Sequence, residues 1–410
     1  HILNRAQNAA ALGLNIPSAE ADWNALQARI QQVMHRIRGG TPEEAVRKNR
    51  EQGIEIISGE AQFIGPNEIS VSGQTYRTEQ IVIAVGGETS VPPIDGLKSA
   101  GYITNREAIF LPELPERMAI LGAGPIGVEF AQMFHRFGVE VTVLESEDML
   151  LPTEDQEVAE ILCGLLSDEG IRMEINVDLQ RVRTVQAGKK LTFRCGEGDI
   201  EELVVDEILL ATGRHTNSEA LNLKVAGVKL GKKGEIVVND SLQTSVEHIW
   251  VAGDATEKYP FTHVAHDQGV LAARNALAML HKKSKPQSFD YSVIPWVTFT
   301  DPALAHVGKT EDELREDGVK YRSTCVKLEE LEVAQQKGET NGVFKLLVSD
   351  GGLVLGAHIL GYEAGENLTA LVLAMKHQIP VESLAQTIIA YPTFSAAIRW
   401  AARKLVNEQA

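Results

Sequence analysis

Three glycines in the run Gly122-Ala-Gly124-Pro-Ile-Gly127 have the spacing with which a main chain can hold a pyrophosphate. They follow an apolar stretch at 118–121 and open an amphipathic one. Gly122 permits a tight turn, Gly124 lets the backbone approach phosphate oxygens, and Gly127 lets a helix lie close on the preceding strand. Pro125 and Ile126 fall in the first turn of that helix, whose start offers main-chain N–H groups and the positive end of a dipole. The next apolar run, VTVLE, ends in Glu145. A carboxylate there can accept both hydroxyls of a ribose and would repel a 2′-phosphate, so NADH is expected over NADPH. The plainer reading is a glycine-turned βαβ unit with a surface glutamate, and the strand–turn–helix context favours the nucleotide.

Other groups offer less. Cys163, Cys195 and Cys325 lie far apart, forming neither a disulfide framework nor a zinc pattern. Cys163 reads as core, and so few cysteines fit a reducing cytoplasm. His263 and His266 have no third ligand at suitable spacing, so no metal is assigned.

The elements that must place these residues are legible from periodicity. Helices are expected at 1–12, 21–38 and 42–52, the last with Thr41 as N-cap and Pro42 at its first position. Short β-rich pieces follow: IEIISG (54–59), AQFIG, NEISVSG and the apolar IVIAV (81–85), the last read as a parallel interior strand. Residues 117–230 alternate strand and helix, the mark of a parallel sheet with crossover helices. EIVVND (235–240) and HIWVAGD read as strands, 264–282 as a helix, and the chain from 291 as an α+β unit. IVIAVGG and ILLATGR echo each other as apolar strands ending in glycine.

The chain has 410 residues, 44% of them hydrophobic and 23% charged, which suits two or three globular domains. A formal net charge of −17 excludes a nonspecific nucleic-acid binder, for want of a basic surplus to neutralise phosphates. No apolar run is long enough to span a membrane.

With these motifs in order, the sequence resembles the FAD-dependent pyridine nucleotide–disulfide oxidoreductases, and within them the mercuric-reductase-like branch. The resemblance rests on IVIAVGG, GAGPIGVEFAQ, ILLATGR, VEHIWVAGDA, FTHVAHDQG, WVTFTDPALAHVG and YPTFSAA, and covers essentially the whole chain. It implies an α/β fold with two dinucleotide-binding, Rossmann-like domains, the first incomplete, and a C-terminal α+β dimerisation domain. The boundaries implied are 1–114 and 235–290 for FAD, 115–234 for NAD(P) and 291–410 for dimerisation.

The resemblance also implies roles. Gly213, Gly253 and Asp254 would bind FAD, the aspartate holding a ribityl hydroxyl. Thr262, His263 and Val264 would direct a helix start at the flavin pyrimidine oxygen. Glu129 would sit beside the nicotinamide, paired in the family with a lysine. Pro125 replaces a gating tyrosine of some relatives. Where the family has a His and a Glu as its thiol acid/base pair, this chain has Tyr391 and Ala396. That weakens a lipoamide or glutathione reductase reading, and makes Tyr391 either a catalytic phenol or a packed interface aromatic.

The family's CxxxxC, its first GxGxxG and the lysine partner of Glu129 are not found in this sequence. Their family positions precede the stretch matching HILNRAQ, so the chain is expected to be N-terminally incomplete. Three functions remain open. The first is an FAD-dependent, NADH-using homodimeric oxidoreductase acting on a disulfide or metal ion. The second is a diaphorase reducing quinone, metal ion or oxygen without a disulfide. The third is a non-catalytic nucleotide-binding or redox-sensing dimer.

Overall fold

A computed structural model describes residues 1–216, 218–232 and 234–407. The chain forms two compact units: His1–Trp23, Val91–Thr212 and Ser292–Ala410 make the first, and Asn24–Ser90 with Gly213–Tyr291 the second.

The first unit holds two five-stranded sheets. One is wholly parallel, with strands in the order Ile103–Thr104, Glu207–Leu210, Arg117–Leu121, Glu140–Leu144, Arg172–Glu174. Helices Pro125–Arg136 and Gln156–Asp168 make the crossovers. Met118, Ala119 and Ile120 are fully buried, as expected of an interior strand covered on both faces. The βαβ expectation for 117–230 is met over 117–174 and at Glu207–Leu210, but not at 177–205, nor from Gly213 onward, where the chain enters the second unit. Val177–Val185, Gly188–Cys195 and Ile200–Val205 form an antiparallel three-stranded sheet. The two-residue turn at 186–187 joins adjacent antiparallel strands, which a crossover helix cannot do.

The second sheet is antiparallel, in the order Pro295–Thr298, Ala303–Gly308, Val354–Gly361, Val343–Ser349, Tyr321–Lys327. Its side chains alternate between two faces. Ala305, Val307, Phe344, Leu346, Ala357 and Ile359 point into a core shared with helices Ala364–Lys376 and Ala396–Asn407. Leu304, Val343 and Leu360 join instead the core containing helix Gln156–Asp168. On that second face, strand register lines up Trp296, His306, His358, Lys345 and Cys325 in one row across the sheet. Lys345 is buried there, 2.8 Å from Asp155, 2.8 Å from Glu157 and 2.9 Å from Glu311. These carboxylates raise its pKa against the opposing effect of burial, to a value well above the ordinary lysine range.

In the second unit, Ile81–Ile83 pairs in parallel with Ile249–Val251 in a two-stranded sheet. Ala61–Gly65, Glu68–Val71 and Gln74–Arg77 form an antiparallel meander. Thr41 caps helix Pro42–Glu51 as expected, its Oγ accepting from Glu44 N–H while the Glu44 carboxylate accepts from Thr41 N–H. Two expected strands do not form. Residues 54–59 are irregular and leave Ile54 and Ile57 exposed. Residues 235–240 make one isolated bridge at Ile236. At their end the Asn239 side chain accepts from Ser241 and Gln243 N–H, a local alternative to a ladder. Among the described residues, no helix is long and apolar enough to cross a membrane.

Replacing Lys345 with Met should leave Asp155 buried without its counter-charge and cost about 3–5 kcal/mol, read by urea denaturation. The double variant Lys345→Met/Asp155→Asn should recover part of that loss.

Candidate nucleotide and flavin sites

The glycine loop is shaped by what surrounds it. A Cβ on Gly122, whose φ is +101°, would lie 2.5 Å from the Ala211 carbonyl oxygen. One on Gly127 would lie 2.0 Å from the Gly122 carbonyl oxygen, so helix and strand touch through bare backbone. Gly124 is different: a Cβ there would meet nothing within 4 Å. It is the N-cap of helix Pro125–Arg136, and no side chain caps that end. An open space thus lies over main-chain donors and a helix dipole, which fits a pyrophosphate.

Glu145 directly follows the strand Glu140–Leu144 and is buried. Its carboxylate accepts from Ala123 N–H at 2.6 Å and from Glu147 N–H at 3.0 Å, fixing the acid against the glycine loop.

The same helix carries three further contacts on successive turns. The Glu129 carboxylate accepts from Phe299 N–H at 2.7 Å. Burial raises its pKa above the usual carboxylate range, and the Phe299 bond opposes that only in part. Gln132 accepts from Asp301 N–H and donates to its carbonyl. Arg136 pairs with both Asp301 and Glu169. Helix Pro125–Arg136 therefore grips the segment 299–301. Glu129 lies in a cleft lined also by Phe130, Met133, Arg136, Phe299 and Tyr362. The role of Arg136 and Gln132 was not read from sequence, although both fall at helical spacing from Glu129.

Tyr391 lies in the same unit, between helices Val381–Gln386 and Ala396–Asn407. It is 70% exposed, and Ile388 beside it is 90% exposed.

In the second unit, Gly253 has φ +72° and donates its N–H to Gln268, a fully buried side chain that in turn donates to Tyr291 Oη. Asp254 lies 3.2 Å from Arg214, which directly follows Gly213. The two echoing glycine tails meet: Glu88–Thr89 pairs antiparallel with Arg214–His215, and Ser90 N–H donates to the Gly213 carbonyl. Helix Thr262–Leu280 begins at Thr262, with His263 and buried Val264 in its first turn and no side-chain cap. A positive-φ glycine, a carboxylate and a helix start fit the sugar and pyrimidine groups of a flavin nucleotide. Arg214 and Gln268 were quoted in motifs without a role, since only the tertiary contact shows what each one holds.

The three cysteines offer no activated thiol. Burial raises the pKa of Cys163 and Cys195 above the ordinary thiol value and that of Cys325 to about 11. An activated cysteine needs the opposite shift.

Fold and site together define a dinucleotide-binding α/β protein with an added antiparallel domain. Residues 12–269 match the family model described as pyridine nucleotide-disulphide oxidoreductase, and 294–402 match the dimerisation domain of the same family. The chain is 35% identical over 399 residues to a mercuric reductase of Staphylococcus aureus, covering 97% of this chain and 71% of that protein. It is 32% identical over 390 residues to a dihydrolipoyl dehydrogenase of Thermus scotoductus, covering 94% and 82%. The HOCl-induced flavoprotein disulfide reductase RclA of Escherichia coli superposes with a TM-score of 0.84 at 28% identity, over 98% of this chain and 88% of that one. The chain belongs to the pyridine nucleotide–disulphide oxidoreductase family, whose members are FAD-dependent enzymes using a pyridine nucleotide.

Gly124→Ala should cost about 1 kcal/mol of stability or less, as a poorer N-cap, yet weaken nucleotide binding, because its Cβ enters the open space. Gly127→Ala should cost about 1–3 kcal/mol in denaturant titration, because backbone must move to admit the methyl.

Proposed function

We propose that this protein is a homodimeric, NADH-using flavoprotein oxidoreductase of the disulfide reductase type, with a disulfide or a metal ion as terminal acceptor. The observation that carries the nucleotide choice is Glu145, a buried carboxylate fixed by Ala123 and Glu147 N–H against the uncapped glycine loop. Negative charge at that point disfavours a 2′-phosphate. FAD supplies the two-electron relay between nicotinamide and acceptor. Gly122, Gly124, Pro125, Ile126 and Gly127 form the cradle for the nicotinamide dinucleotide. Glu129, held by Phe299 N–H, orients the cleft beside it. Gly213, Gly253 and Asp254 would hold the flavin's sugar chain, and the helix start at Thr262, His263 and Val264 would stabilise negative charge on its ring.

A metal ion is supported by the mercuric reductases among the relatives and by Tyr391, an exposed phenol at the position where thiol-handling members carry a histidine. The dimer is supported by the match to the dimerisation domain and by the exposure of Ile388 and Tyr391 within it.

A second reading, a diaphorase that needs no disulfide, is favoured by the three separated thiols with raised pKa values. Alkylation of the FAD-loaded chain separates the two. With alkylation carried out after reduction by NADH, metal-ion reduction unchanged alongside quinone turnover supports the diaphorase, whereas metal-ion reduction lost with quinone turnover retained excludes it.

Glu145→Arg should raise kcat/KM for NADPH relative to NADH by at least tenfold, measured with an artificial acceptor. An unchanged ratio removes Glu145 from nucleotide selection.

A further inference from the structure

A second polar cluster in the first unit takes no part in the reading above. Glu154, His306 and His358 converge on the helix-facing side of the antiparallel sheet, and all three are buried. One ligand-capable atom from each lies within 4.8 Å of the others.

The hydrogen bonds around the two imidazoles decide which atoms remain available. His306 Nε2 is 2.9 Å from the Gly308 carbonyl oxygen, and His358 Nε2 is 3.1 Å from the Lys309 carbonyl oxygen. A carbonyl only accepts, so each Nε2 carries the proton, and in a neutral ring Nδ1 is then a bare lone pair. His358 Nδ1 has no hydrogen-bond partner, though the ring is fully buried. His306 Nδ1 lies 2.9 Å from Glu154 Oε2. One ion at the point where Glu154, His306 and His358 converge would lie within reach of a ligand atom from each.

The surroundings agree. Trp296 Nε1 donates to Glu154 Oε1 at 2.6 Å, and its ring stacks on His306 with centroids 3.7 Å apart. Each ligand is thus oriented by a further bond, as metal ligands generally are. The nearby charges are Lys345 and the carboxylates of Glu154, Asp155, Glu157 and Glu311, with Arg315 on the outer side of Glu311. Carboxylates outnumber cations in this set, so an added cation is electrostatically favoured.

We propose that Glu154, His306 and His358 supply three ligands for one divalent first-row metal ion, a two-imidazole, one-carboxylate donor set that suits zinc. The ion would tie the strand pair carrying His306 and His358 to the segment that opens helix Gln156–Asp168. Its ligands are distant in sequence, so no local spacing announces it. Being buried, the site fills as the chain folds and exchanges slowly afterwards.

The test uses tag-free full-length protein, unfolded with chelator, refolded with or without zinc, and freed of loose ions by gel filtration. Zinc is then counted by mass spectrometry and the melting temperature recorded. The expected result is about one zinc per chain, with a melting temperature several degrees above that of the zinc-free sample. His358→Gln and Glu154→Gln, checked for folding by circular dichroism, should retain at least tenfold less. Zinc below a tenth of an equivalent in the parent chain, or equal melting temperatures with and without zinc, would overturn the proposal. So would equal zinc in the parent chain and in folded variants. Because no flavin or nucleotide enters the measurement, its outcome is independent of the redox reading.

Discussion

The contact on which the first unit depends is the approach of Gly127 to the carbonyl of Gly122. With no side chain between them, helix Pro125–Arg136 lies directly on the turn that ends strand Arg117–Leu121. Three consequences follow from that placement. The helix start, left uncapped, presents its donors to open space at Gly124. Glu145, at the end of the neighbouring strand, is brought within 2.6 Å of Ala123 N–H. Glu129, Gln132 and Arg136, one to three turns along, reach the segment 299–301 and fix it. A methyl group at Gly127 would disturb all three at once.

The antiparallel sheet has two faces with different tasks. One is a plain apolar core beneath helices Ala364–Lys376 and Ala396–Asn407. The other carries a row of polar side chains packed towards helix Gln156–Asp168, where Lys345 meets Asp155 and Glu157, and His306 meets Glu154. A buried charge is costly unless paired, and Lys345 is paired across the two sheet systems of one unit. Such pairing specifies register, because a one-residue slip of a strand would turn every member of the row to the opposite face.

Much of this was legible in the sequence, for identifiable reasons. The parallel sheet and its crossovers follow from apolar runs alternating with helical periodicity, and Thr41 and Pro42 announce their helix by chemistry confined to a few neighbouring residues. The ordered motifs carried the family. The hairpin sheet at 177–205 was not legible, since a strand does not state the direction of its partner. The strand expected at 235–240 was lost to side-chain capture by Asn239, a local competition that apolar patterning ignores. The row of Trp296, His306, His358 and Lys345 was hidden for another reason. A single polar residue in an apolar strand reads as solvent-facing, and only the register of four strands reveals four of them stacked together.

The site residues form two sets, one arranged to hold a nicotinamide dinucleotide and one with groups suited to a flavin nucleotide. A redox function requires that the two cofactors react. The most direct measurement is an anaerobic titration of the FAD-loaded protein with NADH, followed by the flavin absorbance near 450 nm. The account predicts stoichiometric bleaching by NADH, restored by an added acceptor and much slower with NADPH. Protein that binds no FAD, or whose bound flavin keeps its full absorbance in excess NADH, would contradict it.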